Sequence, residues 1–135
     1  MVQVLSAPGK YIQGAGALKD AGKFISNLGS HVMVIADAAV YDIAEQHLVS
    51  GSNELRYTVE KFGGECSKAE INRLKDITQQ SGANVIAGFG GGKTLDTAKA
   101  VAYYSHLPVA VIPSIASTDA PCSALSVIYT ESGEF

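Results

Sequence analysis

The sequence predicts an α/β protein in which an open parallel sheet is flanked by helices. Short apolar runs typical of strands alternate about four times with longer segments whose apolar residues recur at helical spacing. Two of the runs, 31–36 and 85–89, are apolar at both odd and even positions, which is typical of strands covered on both faces. With 135 residues, 47% of them hydrophobic, the chain can form one domain with its own core.

Composition and charge exclude several classes of function. The ten Lys and Arg residues are scattered and the net charge is −3, which argues against a nucleic-acid-binding surface. No apolar run approaches the ~20 residues that span a bilayer, and the first residues do not resemble a secretory signal. The two cysteines are far apart and form no C-x-x-C motif, so neither a disulfide framework nor a zinc knuckle is predicted. We therefore expect a cytoplasmic protein that binds neither nucleic acid nor membranes.

The first half of the chain contains two extended pieces, two helices and one buried strand. Residues 1–13 are predicted to be extended, with a turn at Pro8 and Gly9. A helix over 14–28 is indicated by an apolar stripe and a stop at Gly29, and the strand 31–36 follows. A second helix begins after Asp37 and ends near Gly51. The two stripes consist of Leu18, Ala21, Phe24, Ile25 and Leu28, and of Val40, Ile43, Ala44, His47 and Leu48.

The second half repeats strand and helix more clearly. Residues 55–62 alternate as a strand, and Gly63 and Gly64 lead into a helix whose start, Ser67-x-x-Glu70, matches a capping box. The strand 85–89, a helix to about Ser105 and a short strand at 109–112 follow. A further strand is predicted at 124–130, and 131–134 is predicted to turn into a hairpin whose return strand begins at Phe135.

The stretch 84–99 gives the main indication of function. Its strand runs directly into Gly90, Gly91 and Gly92, then Lys93, then a helix. Glycines and the first amides of a helix form a site for phosphate, to which a lysine adds positive charge. The motif is neither G-x-G-x-x-G, since Lys93 replaces the last glycine, nor a P-loop, since Ala87 stands at its opening glycine. A phosphate-bearing ligand is favoured over a tight turn that binds nothing.

Two aspartates follow predicted strands, and each has two interpretations. Asp37 can bind the ribose hydroxyls of a dinucleotide or cap the next helix, and the residues alone favour the cap. Asp119 lies in the small, polar segment 114–123, where it is either a ligand contact or a turn residue. For His31, His47 and His106, structural roles are favoured over metal binding or catalysis.

Four segments together resemble the N-terminal part of bacterial NAD-dependent glycerol dehydrogenases, in the metal-dependent polyol dehydrogenase superfamily. They are PGKYIQG at 8–14, FGGECS at 62–67, GGGKTLDTAKA at 90–100 and IASTDAPCSALSVIYT at 115–130. The resemblance covers 8–135 of this chain but only about the first third of such an enzyme. It implies that 1–135 is a Rossmann-like NAD-binding domain, and that the family's helical metal-binding domain is missing from this sequence.

The resemblance also implies roles for single residues. Asp37 matches the acid that binds the adenosine ribose, in place of the cap favoured above. Gly90, Gly91, Gly92 and Lys93 match the loop that binds the pyrophosphate, and Asp119 matches the residue that contacts the polyol hydroxyls. The other matching positions are Ser114 and Ser117, which line the cofactor site, and Ser123, Leu125 and Tyr129, along the nicotinamide side.

The family's metal, usually Zn²⁺, is held by an Asp and two His residues of the C-terminal half, and this sequence contains none of these ligands. The metal polarises the alcohol so that hydride can pass to NAD. The resemblance therefore implies that the complete enzyme, a homo-oligomer, oxidises glycerol to dihydroxyacetone, and that this chain is its cofactor-binding part. The alternatives are a non-catalytic nucleotide-binding or interaction module left by truncation and a P-loop phosphotransferase.

Overall fold

A computed structural model describes residues 9–49, 54–114 and 128. Its centre is a parallel four-stranded sheet in the order β2-β1-β3-β4. The strands are β1 (His31–Ala36), β2 (Arg56–Lys61), β3 (Val85–Gly90) and β4 (Val109–Pro113). The sheet confirms the predicted fold class, and the four strands lie within two residues of their predicted ends.

Helices connect the strands and cover the sheet. Helix α1 (Ala21–Ile25) follows a 3₁₀ turn at Ala17–Asp20. Helix α2 (Tyr41–Ile43) lies between a 3₁₀ turn at Ala38–Val40 and a π-helical segment at Ala44–Val49. The two long helices are α3 (Lys68–Ser81), between β2 and β3, and α4 (Gly92–Ser105), between β3 and β4.

The two faces of the sheet belong to two separate hydrophobic clusters. Val32 and Val34 of β1 pack with residues of the N-terminal helical segments, including Ile25 and Leu48. The alternate β1 residues, Met33 and Ile35, pack with α3 and α4 on the other face. Because β1 and β3 are buried at every position, they carry no solvent-facing polar residue, as their continuous apolar sequence predicts.

The first predicted helix is wrong in length and in its apolar stripe. Helical structure begins at Ala17, since Gly16 has a left-handed φ of +77°, and the α-helix proper has only five residues. Phe24 and Leu28, predicted to be buried, are 37% and 43% exposed. Gly22 within so short a helix further weakens its propensity to extend.

The second predicted helix exists, but its turns change pitch. Ala44 and Leu48 are buried as predicted, whereas Ile43 and His47 are exposed. His47 lies in the π-helical segment, whose turns hold more residues than the 3.6 on which the predicted stripe depends, so its side chain is rotated away from the expected face. Ile43 precedes that segment, and the change of pitch does not explain its exposure. The predicted end at Gly51 lies outside the described residues.

The predicted capping box at α3 is formed in one direction. The Oγ of Ser67 accepts a hydrogen bond from the backbone N of Glu70 at 3.2 Å. The Glu70 carboxylate accepts hydrogen bonds from the backbone N of Gly63 and from Arg73, so it ties the end of β2 to α3.

Three predicted segments lie outside the described residues: the extended segment 1–8, the strand at 124–130 apart from Ile128, and the hairpin at 131–135. Ile128 packs on the second cluster.

Candidate functional site

The parallel sheet brings the ends of three strands to one edge. Asp37 follows β1, Gly90 ends β3 and Ser114 follows β4. The backbone N of Asp37 donates to the Phe89 carbonyl oxygen, and that of Ser114 donates to the Gly90 carbonyl oxygen, both at 2.9 Å. The carboxyl edge of such a sheet is where α/β proteins bind their ligands.

Gly90 and Gly91 lack side chains for different reasons. A Cβ on Gly90 would lie 2.8 Å from the Asp37 Cβ and 3.0 Å from the Thr94 Oγ1, so close packing requires glycine there. A Cβ on Gly91 would meet only the Asp37 Oδ2, at 3.9 Å, and its φ of −85° suits any residue. Packing therefore does not explain Gly91, whose missing side chain leaves room above the start of α4.

The start of α4 has the properties of an anion site. Gly91 occupies the N-cap position and supplies no side-chain hydrogen bond, and the first turn contains no acidic residue. The first amides of an α-helix have no carbonyl acceptor within the helix, and the helix dipole places positive charge at this end. Gly92 and Lys93 thus present backbone N–H groups beside a loop that a phosphate can approach closely.

Asp37 does not act as the side-chain cap that its position in the sequence favoured. It precedes the 3₁₀ turn at Ala38–Val40 in extended conformation, but its carboxylate makes no capping hydrogen bond. The carboxylate lies instead beside Gly91. This geometry contradicts the cap interpretation and leaves a carboxylate next to the candidate phosphate site.

Sequence reasoning missed Glu65, which lies at the same edge. Its Oε1 is 2.9 Å from the Nζ of Lys93. Glu65 is in the connection that follows β2, and this connection must also begin at the carboxyl edge because β2 is parallel to β1. That topological argument, together with the acid in FGGECS, could have identified it.

The histidines of the described residues have structural surroundings. The Nε2 of His31 is 2.8 Å from the Oγ1 of Thr58 on β2, and burial, with Arg56 nearby, lowers the pKa of His31. His47 is exposed, and His106 ends α4 with a left-handed φ of 55°. Among the residues the structure describes, no three His, Cys, Asp or Glu side chains form a group that could hold a metal.

The structure brings together six of the predicted site residues: Asp37, Gly90, Gly91, Gly92, Lys93 and Ser114. The other five, Ser117, Asp119, Ser123, Leu125 and Tyr129, lie outside the described residues. Within the described ranges, no helix has the length and apolar character needed to cross a membrane.

Residues 8–134 match the family described as iron-containing alcohol dehydrogenase. All of the chain aligns with glycerol dehydrogenases from Citrobacter freundii, at 53% identity, and Pseudomonas putida, at 50%, and covers 38% of each. The structure of a probable glycerol dehydrogenase from Sinorhizobium meliloti is similar over 98% of this chain and 36% of its own, with a TM-score of 0.90 and 39% identity. The chain thus spans less than two fifths of the length of these relatives.

Proposed function

This chain belongs to the iron-containing alcohol dehydrogenase family, and we propose that it is the NAD-binding part of a glycerol dehydrogenase. The complete enzyme would oxidise glycerol to dihydroxyacetone and pass hydride to NAD. One observation carries the proposal: the uncapped start of α4 and the carboxylate of Asp37 meet at the carboxyl edge of a parallel sheet. We further propose that the enzyme is cytoplasmic and homo-oligomeric.

The two parts of this edge suit two parts of NAD. The backbone N–H groups at Gly92 and Lys93 would donate to the pyrophosphate, and the space above Gly91 allows it to approach. The Asp37 carboxylate would accept hydrogen bonds from the adenosine ribose hydroxyls, and its charge would repel a 2′-phosphate. NAD therefore fits this edge better than NADP does.

The remaining assignments concern the substrate side of the site. We propose that Ser114, Ser117, Ser123, Leu125 and Tyr129 line the rest of the cofactor site and that Asp119 contacts the polyol hydroxyls. The metal of the complete enzyme, Zn²⁺ in this proposal, finds no fitting set of ligands among the described residues. The chemistry assigned to the described part of this chain is therefore cofactor binding and orientation.

Isothermal titration with NAD, NADP and ATP tests the proposal in the unmodified protein, in Asp37→Asn and in Gly91→Val. We expect NAD to bind best, and Asp37→Asn to weaken its binding about tenfold while narrowing the preference over NADP, since a charge-assisted hydrogen bond is lost. Gly91→Val fills the space that the phosphate needs, so we expect a larger loss of affinity. Equal melting temperatures would establish that both variants fold.

The same titrations separate the alternatives. ATP binding without NAD binding would support a phosphotransferase and contradict the proposal. Binding of neither NAD nor ATP would contradict the proposal and favour a non-catalytic interaction module. NAD binding without glycerol oxidation, assayed in one buffer with and without Zn²⁺, is the result that the proposal expects, because the described residues form no metal site.

A further inference from the structure

We propose that Glu65 is an internal counter-ion that limits the affinity of the glycine loop for the cofactor by neutralising Lys93. The inference rests on the proposed function, because it concerns how tightly the same loop holds a pyrophosphate. The sequence suggested that the positive charge of Lys93 acts on the ligand alone. We infer instead that Glu65 and the ligand share the interaction with this charge.

The position of Glu65 is fixed by its two neighbours. Gly64 turns the chain with a left-handed φ of +108°, and the side chain of Cys66 is completely buried in the cluster beneath α3 and α4. Ser67 then caps α3. The backbone of Glu65 is therefore held between a constrained turn and a helix cap, and its side chain is partly buried, with Oε2 inaccessible to solvent.

Lys93 is held equally firmly at its backbone. It lies in the first turn of α4, and its carbonyl oxygen accepts a hydrogen bond from the Oγ1 of Thr97 at 2.8 Å. Its Nζ lies 2.9 Å from the Glu65 Oε1, with the two side chains 46% and 29% exposed. Partial burial reduces solvent screening, so this pair is stronger than a fully exposed one.

The second oxygen of Glu65 explains why the pair would persist when the cofactor binds. Oε2 is buried and accepts no hydrogen bond from the described residues. Arg73, which lines the same open depression, is engaged by Glu70 at 2.6 Å and by Glu60 at 3.4 Å. If Lys93 turned wholly to a pyrophosphate, the Glu65 carboxylate would lose its counter-charge beside two negative phosphates, which is costly.

The ligand would consequently meet a pair with no net charge. The backbone amides of α4 then provide most of the attraction for the pyrophosphate, and Lys93 adds less than an unpaired lysine would. Removing the charge of Glu65 without changing its size should therefore strengthen binding and make it more sensitive to salt.

The test is a double-mutant cycle with Glu65→Gln, Lys93→Met and the combined variant, titrated with NAD and separately with inorganic pyrophosphate. We expect Glu65→Gln to tighten binding of both ligands about three- to tenfold at low salt, with the gain shrinking at about 300 mM salt. Lys93→Met should weaken binding more than about tenfold, because it leaves an uncompensated carboxylate near the ligand. The combined variant should bind better than Lys93→Met does.

Glu60→Gln is the matched control. It makes the same change of charge at a carboxylate paired with Arg73 rather than with Lys93, so we expect a dissociation constant within about twofold of the unmodified value. Melting temperatures identify any variant that fails to fold, and Glu65→Asp supplies a second substitution that keeps the charge and should keep the affinity low.

Unchanged or weaker binding by Glu65→Gln would overturn the proposal, as would a combined variant no better than Lys93→Met. Pyrophosphate separates this inference from the proposed function. If the unmodified protein binds pyrophosphate but not NAD, the proposed function fails, while the order of the four proteins toward pyrophosphate still decides the role of Glu65. If it binds neither ligand, both proposals are wrong.

Discussion

At the amino edge of the sheet the Asn84 side chain forms hydrogen bonds with the residues where β1 begins, whereas at the carboxyl edge α4 begins without a side-chain cap and the Asp37 carboxylate makes no capping hydrogen bond. The Oδ1 of Asn84 accepts hydrogen bonds from the backbone N of Ser30 at 3.0 Å and of His31 at 2.9 Å. Its Nδ2 donates to the Ser30 Oγ at 3.1 Å. One residue before β3 thus ties together the starts of two strands.

The difference separates residues that stabilise the fold from residues that are available to a ligand. Hydrogen bonds made within the protein contribute to the free energy of unfolding, whereas donors left at a helix start contribute when an anion arrives. Substitutions at the amino edge should therefore change stability and leave NAD affinity alone. Most substitutions at the carboxyl edge should do the opposite.

Gly90→Ala is the sharpest way to break this division, since it is a carboxyl-edge change that should cost stability. Its Cβ would lie 2.8 Å from the Asp37 Cβ, so the backbone or Asp37 must move. We expect the free energy of unfolding to fall by about 2–3 kcal/mol, measured by urea denaturation. Gly91→Ala, one residue away in open space, should lower it by less than about 1 kcal/mol, since the only cost is that of alanine at an N-cap.

Equal losses in these two variants would mean that the loop is strained as a whole, and the distinction between its two glycines would then be wrong. A loss at Gly91 alone would contradict the packing argument directly. In either case the space above Gly91 could no longer be assigned to a ligand.

Asn84→Ala tests the amino edge. It removes three hydrogen bonds and leaves two backbone N–H groups to water, so we expect the free energy of unfolding to fall by about 1–2 kcal/mol. The dissociation constant for NAD should stay within about twofold, because Asn84 lies at the opposite end of β3 from Gly90. Asn72→Ala, on the exposed face of α3, is the matched control and should leave both quantities nearly unchanged. A loss of NAD affinity in folded Asn84→Ala would show that the two edges are coupled.

The sequence predicts best those elements whose apolar pattern or end residues fit one type of secondary structure. Strands β1 and β3 are apolar throughout, and α3 has both a cap at Ser67 and a stop at Gly82, which adopts a left-handed φ of +75°. The N-terminal helices have weaker signals, because Gly16 delays the first and a π-helical turn changes the pitch of the second. A periodicity of 3.6 residues cannot anticipate either effect.

Local sequence patterns also predict only part of the candidate site. The glycine run is visible in the sequence because its residues are consecutive, but the pairing of Lys93 with Glu65 joins positions 28 residues apart. Asp37 shows that a residue type can suit two roles, and the structure excludes the side-chain cap that the residue pattern alone favoured. Local patterns thus indicate a candidate ligand site more readily than they indicate which charges compensate one another there.

His106→Gly should give the smallest effect, a gain in stability at the amino edge. The backbone N of Leu107 donates to the Ala102 carbonyl oxygen and that of His106 to the Tyr103 carbonyl oxygen, which is the Schellman arrangement that usually carries glycine. His106 adopts its left-handed φ of 55° at a steric cost that glycine avoids. We expect the free energy of unfolding to rise by about 0.5–1 kcal/mol, with no change in NAD affinity. His106→Ala is the control, since it removes the imidazole but keeps the Cβ; a gain there equal to that of glycine would mean that the imidazole, and not the backbone, carries the cost.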